Sequence, residues 1–180
     1  MVPADLVDAT VALVPAAVRV IAGGAERIDS VRAGLQILSD GDPDDIVLVH
    51  DAARCLTPEP VFERVVAAAA DRYWAGAIPG IPVADTIKTV NAAGGVTGTP
   101  QRSGLRAIQT PQGFRLGVLR QAYAQDGLDA VATDDAGLVE AMGGAVRVVA
   151  GDPLAFKITT EWDLRTAERV LANDERESDG

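Results

Sequence analysis

The chain has 180 residues, a formal net charge of −10 at pH 7 and 48% hydrophobic residues. Its length and composition fit one domain with a buried core, and the acidic balance argues against a general electrostatic attraction to nucleic acid. No apolar stretch reaches the roughly 18 residues that would span a bilayer, and the first residues do not have the pattern of a secretory leader. We therefore expect a cytoplasmic protein without membrane or nucleic acid partners.

The predicted elements of the first half alternate between strand and helix. Strands are predicted over 13–21, 46–49 and 76–83, and helices over 30–38 and 60–74. This order is typical of an α/β fold. It predicts a three-layer, Rossmann-like arrangement of helices around a mostly parallel sheet with right-handed crossovers.

A period of two replaces the helical period after residue 85. Two short alternating segments flank the glycine turn Asn91–Gly95, which predicts a β-hairpin. The hairpin has a polar tip and few apolar residues to offer a core, so we expect it to protrude as an arm over about 84–105. It is either an ordinary surface flap or an arm that is exchanged between two subunits.

The remaining elements complete one domain over residues 1–171. We predict a tight turn over 109–114, helices over 116–123, 136–142 and 161–171, and a strand over 146–149. The charged segment 172–180 lacks apolar anchors, and we expect it to form a flexible acidic tail.

The segment Val47–Arg54 carries the clearest functional signal. A short apolar strand ends at His50 and Asp51, and Arg54 follows after two alanines. Polar groups at the carboxyl end of a strand in an α/β sheet are candidate ligand contacts. Asp51 is suited to a divalent metal or a ribose, and Arg54 to a phosphate. The alternative is that Asp51 caps the next helix and pairs with Arg54 on the surface.

Cysteine, histidine and lysine are scarce. One cysteine, Cys55, excludes an intrachain disulfide, and with one histidine, His50, a Cys/His metal site is excluded as well. Any metal must therefore be bound by oxygen. Of the two lysines, Lys157 follows Ala-Phe and precedes Ile, so its neighbours in sequence are apolar. A lysine among apolar residues is poorly explained as a solvated surface charge. We expect Lys157 to be functional.

Five segments, in this order, resemble the 2-C-methyl-D-erythritol 4-phosphate cytidylyltransferase family of isoprenoid precursor biosynthesis. The resemblance extends from about residue 18 to residue 170. It rests on Gly23–Val31, Val49–Arg54, Asp85–Lys88, Gln109–Gln112 and Phe156–Thr159. The family resemblance implies a nucleotidyltransferase fold. It also implies a reaction in which the 4-phosphate of methylerythritol phosphate attacks the α-phosphorus of CTP and releases pyrophosphate.

The resemblance also implies roles for individual residues. The implied CTP contacts are Gly24, Ser30, Asp51 and Arg54, with Asp51 also binding Mg²⁺. The implied contacts to the sugar phosphate are Thr86, Arg102, Thr110, Thr133 and Lys157, with Arg102 and Lys157 as the catalytic residues. Arg102 and Thr133 are expected to reach the site from the second subunit of a homodimer. Phosphoryl transfer of this kind depends on positioning and positive charge, so the lack of a covalent nucleophile is no objection.

Several of these residues have a simpler interpretation. Gly24 fits a left-handed turn position after a strand, and Thr110 before a proline fits a turn hydroxyl. Arg27 and Asp29 fit a local ion pair. For His50 we favour a buried histidine with its hydrogen bonds satisfied at the end of a strand.

One family segment has no counterpart in these 180 residues. Family members begin with a strand, a loop of the form Ala-Ala-Gly-x-Gly-x-Arg and a nearby Pro-Lys, which together wrap the triphosphate. Without the backbone amides, the arginine and the lysine of this segment we expect slow turnover, because losing even one such hydrogen-bond donor to the phosphates typically costs ~10²–10³ in rate. The alternatives are a ribitol 5-phosphate cytidylyltransferase and a non-catalytic dimerisation or nucleotide-binding module.

Overall fold

A computed structural model describes residues 1–125 and 133–178. The helices are α1 (Val7–Val11), α2 (Arg27–Ile37), α3 (Glu59–Ala70), α4 (Leu116–Tyr123), α5 (Asp135–Ala141) and α6 (Glu161–Ser178). The strands are β1 (Ile46–Val49), β2 (Gly76–Pro82), β3 (Thr89–Val90), β4 (Val96–Gly98), β5 (Arg106–Ile108), β6 (Gln112–Arg115) and β7 (Val146–Ala150). Helix α6 extends beyond the predicted end at residue 171. Residues 179–180 of the predicted tail lie outside the described residues.

The main sheet is built around β2. Strand β7 pairs with one side of β2 in parallel, and β5 and β6 lie in succession along the other side, both antiparallel to it. Strand β6 continues to β1, again antiparallel, with Val49 opposite Gln112. The three strands β1, β2 and β7 therefore run in one direction, and β5 and β6 run against them.

The prediction of a mostly parallel sheet is wrong. Three of the four strand pairings in the described part of the main sheet are antiparallel, and only β2 with β7 is parallel. The physical reason is the insertion of β6 between β1 and β2, which the sequence predicts to be neighbours. The segment 109–114, predicted as a tight turn, supplies most of that inserted strand.

Helices cover both faces of the sheet, as expected for an α/β fold. On one face, Val65 and Ala69 of α3 pack against Ala77 of β2. On the other, the core joins α2, α4 and α5 to the side chains of Ile78 and Phe114. Phe114 is fully buried in the middle of this core. Burial of apolar area on both faces is the main favourable contribution to folding.

The N-terminal segment differs from its prediction. Residues 13–21 do not form a strand; they follow α1 as a series of turns and irregular segments, and one parallel bridge joins Val2 to Ala22. Leu13 is 84% exposed, so the apolar pattern of this stretch is not used for core packing here. No helix in the described ranges is long and apolar enough to cross a membrane.

Strands β3 and β4 form a separate two-stranded ladder after β2. Thr89 lies opposite Gly98, and the turn between the strands contains Gly94 with φ of +81°. Asn91 fixes this turn, because its side-chain oxygen accepts hydrogen bonds from the amides of Ala93 and Gly95. Both strands are mostly exposed, and Val90 and Val96 are 59% and 63% exposed.

The contact between Gly76 and Phe114 gives a test of the packing. A methyl group at Gly76 would lie 2.3 Å from Phe114 Cδ1, whereas at Gly104 it would meet no heavy atom within 4 Å. We expect Gly76→Ala to lower the free energy of unfolding by about 1–3 kcal/mol, since the buried ring has no room to move. Gly104→Ala is the matched control and should change it by less than about 0.5 kcal/mol. Chemical denaturation of both variants measures the difference, and equal stabilities would contradict this packing.

Candidate functional site

The site is built at the carboxyl end of β1. The chain leaves the strand at Val49, passes His50 and Asp51, and turns through the 3-10 segment Ala52–Arg54. The Asp51 side chain makes no capping hydrogen bond to this turn. The interpretation of Asp51 as a helix cap is therefore wrong, and its carboxylate is directed to other partners.

Three cationic side chains surround the Asp51 carboxylate. Lys157 Nζ lies 3.2 Å from Oδ2, and Arg54 Nε lies 3.6 Å from the same oxygen. Arg27 Nε lies 3.6 Å from Oδ1. The side chains of Asp51 and Arg54 are only 18% and 14% exposed, so their pair is not a surface contact. A single carboxylate thus has an excess of positive charge around it.

Backbone hydrogen bonds bring these segments together. The Ile158 amide donates to the Ala53 carbonyl at 2.8 Å, which fixes the segment carrying Lys157 against the turn. The Asp51 amide donates to Thr110 Oγ1 at 2.9 Å. Thr110 Oγ1 also lies 3.0 Å from His50 Nδ1. The Thr110 hydroxyl therefore joins the start of β6 to the end of β1.

The surroundings change the pKa values of Asp51 and His50. Burial disfavours the ionised form of Asp51, but the hydrogen bond and charge of Lys157, with the two arginines, outweigh it and hold its pKa below the usual value. Burial lowers the pKa of His50, whose ring lies 5.0 Å from that of Phe62. At neutral pH Asp51 is ionised and His50 is neutral. His50 is half-buried and has a hydrogen-bond partner, in line with the simpler interpretation of it.

Arg27 is the residue that sequence reasoning missed. It is the first residue of α2, and its Nη2 donates to Asp135 Oδ2 at 2.6 Å. Asp135 is completely buried, and Tyr123 donates its hydroxyl hydrogen to the other carboxylate oxygen. The interpretation of Arg27 as part of a local ion pair is wrong. Nothing in the sequence near Arg27 indicates a partner more than a hundred positions away.

Gly24 and Ser30 lie beside this cluster. The Gly24 amide donates to Ser30 Oγ at 3.0 Å, and both residues line a cavity of about 320 Å³ that Arg27 also borders. Among the described residues only Gly94 and Gly143 have positive φ, so the left-handed interpretation of Gly24 is wrong. Glycine is required there because a Cβ would lie 2.2 Å from Asp29 Cβ.

The other predicted site residues lie apart from Asp51. Thr86 is exposed in the segment before the hairpin, and Arg102 donates from Nη1 to the Ala84 carbonyl at 2.7 Å. Thr133 is exposed and lines a cavity of about 440 Å³ with Arg27 and Tyr123. Within the described ranges, no hydrogen bond or ion pair joins Thr86, Arg102 or Thr133 to the Asp51 carboxylate.

The site suits a hard cation that is bound partly by the Asp51 carboxylate and partly by the oxygens of a second bound ligand. The described residues contain no cluster of three or more acidic, histidine or cysteine side chains that would hold a metal alone. Asp51 supplies one ionised carboxylate near several cations, which are partners for phosphate oxygens. Mg²⁺ is commonly bound in this way, through one or two carboxylates together with substrate phosphates and water. The residues present therefore fit a Mg²⁺–nucleotide site.

Asp51→Asn provides a test of the charge cluster. The substitution removes the shared counter-charge of three cations, and we expect the free energy of unfolding at pH 7 to fall by about 1–2 kcal/mol. The loss is smaller than for a fully buried pair because the side chains of Lys157 and Arg27 are 46% and 40% exposed. The pKa of Asp51 is lower in the folded protein than in the unfolded chain. As the pH falls below about 4, the unfolded chain therefore takes up a proton at Asp51 before the folded protein does, and the stabilisation is lost.

Denaturation of both proteins across that pH range measures the effect. The difference between wild type and Asp51→Asn should shrink as the pH falls through the lowered pKa of Asp51. Asp44→Asn is the matched control, because Asp44 pairs at 2.6 Å with Arg72 on the exposed surface. It should change stability by less than about 0.5 kcal/mol at any pH. A difference that stays constant with pH would contradict the ionised state of Asp51.

Comparisons with known proteins agree on one family. The family model of IspD, 2-C-methyl-D-erythritol 4-phosphate cytidylyltransferase, matches residues 1–173. A protein of that name from Nocardia farcinica is 57% identical over 173 residues, which are 95% of this chain and 72% of the relative. The crystal structure of the enzyme of that name from Thermus thermophilus is 36% identical, with a TM-score of 0.71 over 87% of this chain and 78% of that one.

A second solved structure extends the match over more of the chain. The 4-diphosphocytidyl-2C-methyl-D-erythritol synthase of Anaerococcus prevotii is 28% identical, with a TM-score of 0.78 over 93% of this chain and 76% of that one. The α/β fold, the order of the motifs and the sequence identity all lead to the same assignment. The chain belongs to the 2-C-methyl-D-erythritol 4-phosphate cytidylyltransferase family.

Proposed function

We propose that this chain transfers CMP from CTP to 2-C-methyl-D-erythritol 4-phosphate and releases pyrophosphate, in the biosynthesis of isoprenoid precursors. The supporting observation is the group of three cations, Arg27, Arg54 and Lys157, around the single carboxylate of Asp51. A triphosphate brings its own negative charge, and such a site neutralises it while keeping one oxygen ligand for a metal. Membership of the family supports the same activity.

The reaction requires one bond to form and one to break at the α-phosphorus of CTP. An oxygen of the sugar phosphate attacks this phosphorus, and the bond to the β-phosphate oxygen breaks, so that pyrophosphate leaves with the bonding electrons. Negative charge increases on the transferring and leaving oxygens, and fixed cations stabilise it. Lys157 is suited to this role because its ammonium group lies next to Asp51 while 46% of its side chain remains exposed to an incoming ligand.

The nucleoside part of CTP is proposed to bind at the cavity beside α2. Gly24 gives a close approach to the backbone there, and the Ser30 hydroxyl is held by the Gly24 amide. Asp51 and Arg54 then face the ribose and the phosphates. Mg²⁺ is proposed as the cofactor, with Asp51 as its protein ligand; when bound, it would neutralise the phosphate oxygens and orient the triphosphate.

The acceptor phosphate is proposed to bind between two subunits. Thr86, Arg102, Thr110 and Thr133 are the proposed contacts, with Arg102 and Thr133 contributed by the partner chain. The exposed two-stranded ladder, with Val90 and Val96 uncovered, supports a role for the hairpin as an arm that packs on a second copy. The Thr110 hydroxyl already has two partners in the chain, so its proposed contact to phosphate would be an additional one. A cytoplasmic location accords with CTP as the substrate.

Measurement of pyrophosphate release tests the activity. We expect release that requires CTP, Mg²⁺ and methylerythritol phosphate together. Lys157→Met should reduce the rate by ~10²–10³, as expected for loss of a group that stabilises transition-state charge. Arg72→Met, which removes an exposed cation away from Asp51, should leave it unchanged.

The other outcomes distinguish the alternatives. Faster release with ribitol 5-phosphate than with methylerythritol phosphate would identify the related cytidylyltransferase. Binding of CTP without release under any condition would favour the non-catalytic module. Either outcome overturns the proposed function.

Subunit complementation tests the shared site. Arg102→Ala and Lys157→Met should each impair the homodimer. If Arg102 acts across the interface, mixing the two variants restores one intact site in each mixed dimer, or about a quarter of the wild-type sites. Activity of the mixture is measured after subunit exchange. A mixture no more active than its components would contradict a contribution from the partner's arm.

A further inference from the structure

Both arginines that face Asp51 are held by a second acceptor. Arg27 donates through Nη2 to Asp135 at 2.6 Å, and Arg54 donates through Nη1 to the Ala155 carbonyl at 2.7 Å. Each then approaches Asp51 through Nε at 3.6 Å, which exceeds the distance of an N–H···O hydrogen bond. The Arg54 Nε atom is buried and has no hydrogen-bond partner among the described residues. The two charges act on Asp51 without direct hydrogen bonds to its oxygens.

The anchor of Arg27 is an energetically costly one. Asp135 has an exposed fraction of 0%, and burying an ionised carboxylate is unfavourable unless each oxygen is paired. Arg27 is bonded to one of its oxygens and the Tyr123 hydroxyl to the other. Tyr123 itself is 8% exposed and lies in the core at the end of α4. Asp135 and Tyr123 therefore hold the guanidinium of Arg27 from the buried side of the site.

We propose that Asp135, oriented by Tyr123, is a positioning residue that holds Arg27 back from Asp51. Oδ1 of Asp51 then remains available to the metal–nucleotide ligand, whereas Oδ2 is the oxygen that Lys157 contacts at 3.2 Å. The identity of that ligand rests on the proposed function; the position of Arg27 does not. Within the described residues, Arg27 forms ion pairs with Asp135 and Asp51. When Asp135 is removed, Asp51 is the carboxylate left for Arg27 to pair with.

Asp135→Asn is the central variant because it removes the anchoring charge and nearly preserves the shape. We expect the Arg27 guanidinium to move onto Asp51 and form a direct hydrogen bond. In protein free of metal and nucleotide, the Nε–H resonance of Arg27 should shift downfield in an NMR spectrum of the ¹⁵N-labelled chain. Adding Asp51→Asn should reverse the shift. An Arg27 resonance that does not move in Asp135→Asn, or moves equally in the double variant, overturns the proposal.

Metal dependence gives a second readout. A closed Arg27–Asp51 pair competes with Mg²⁺, so the Mg²⁺ concentration needed for half-maximal CTP binding should rise about 10- to 100-fold in Asp135→Asn. Adding Arg27→Gln should return it towards the value of Arg27→Gln alone, because the competing group is then absent. A purely structural role for Asp135 predicts no such rescue, and absence of rescue contradicts the proposal.

Two further variants keep the test decisive. Tyr123→Phe retains the Asp135 charge but loses its orienting hydrogen bond, and we expect a smaller shift of the Arg27 resonance in the same direction; it replaces Asp135→Asn if that variant does not fold. Asp44→Asn is the matched control, since it breaks an arginine–aspartate pair of the same 2.6 Å length away from the site. If the wild-type chain binds no CTP, the proposed function fails, and the Arg27 resonance still decides the position of Arg27.

Discussion

The ion pairs of Asp51 connect parts of the chain that are far apart in sequence. Arg27 comes from the start of α2, Arg54 from the turn after β1, and Lys157 from the segment before α6. The Asp51 amide adds a fourth segment through Thr110. Removing the carboxylate would leave three cations close together, so its charge offsets the repulsion between segments that backbone and side-chain hydrogen bonds hold in place. The three cations also lower the pKa of Asp51 and so keep it ionised at neutral pH, which is the state that a metal or a nucleotide site needs.

A second polar network determines how the sheet and the helices meet behind the site. Gln112 of β6 is 1% exposed; its amide nitrogen donates to Asp134, and its oxygen accepts from the Ala136 amide. Asp134 also accepts from the Gly137 amide and thereby caps α5. Helix α5 is thus fixed to β6, and its first residue, Asp135, is fixed against Arg27. Precise placement of Arg27 follows from satisfied hydrogen bonds in the core, where an unpaired polar group would be costly.

Local sequence patterns were sufficient for elements that contain a short apolar run or a helical apolar period. The limits of β1 and α4 agree with their predictions, and α2, α3 and β2 lie close to theirs. The helices have apolar residues at helical spacing, and β1 is a continuous apolar run. Strand β6 was missed for a physical reason. Its residues Gln-Gly-Phe-Arg show no apolar alternation, since Gly113 has to fit under Val65 and Leu48, and Gln112 is buried only because it binds another element. The insertion of this strand makes the sheet mixed rather than parallel.

The sequence by itself determined the family, the α/β class and the position of Asp51 and Arg54 after a strand, because these depend on motifs of a few adjacent residues. The approach of Lys157 to Asp51, the role of Arg27 and the burial of Asp135 were decided only by the tertiary structure. Arg27 and Asp135 lie 108 positions apart, and no local pattern reports which distant charges a fold brings within a few ångströms. Pairing across that distance depends on the packing of α2, α4 and α5 against one face of the sheet.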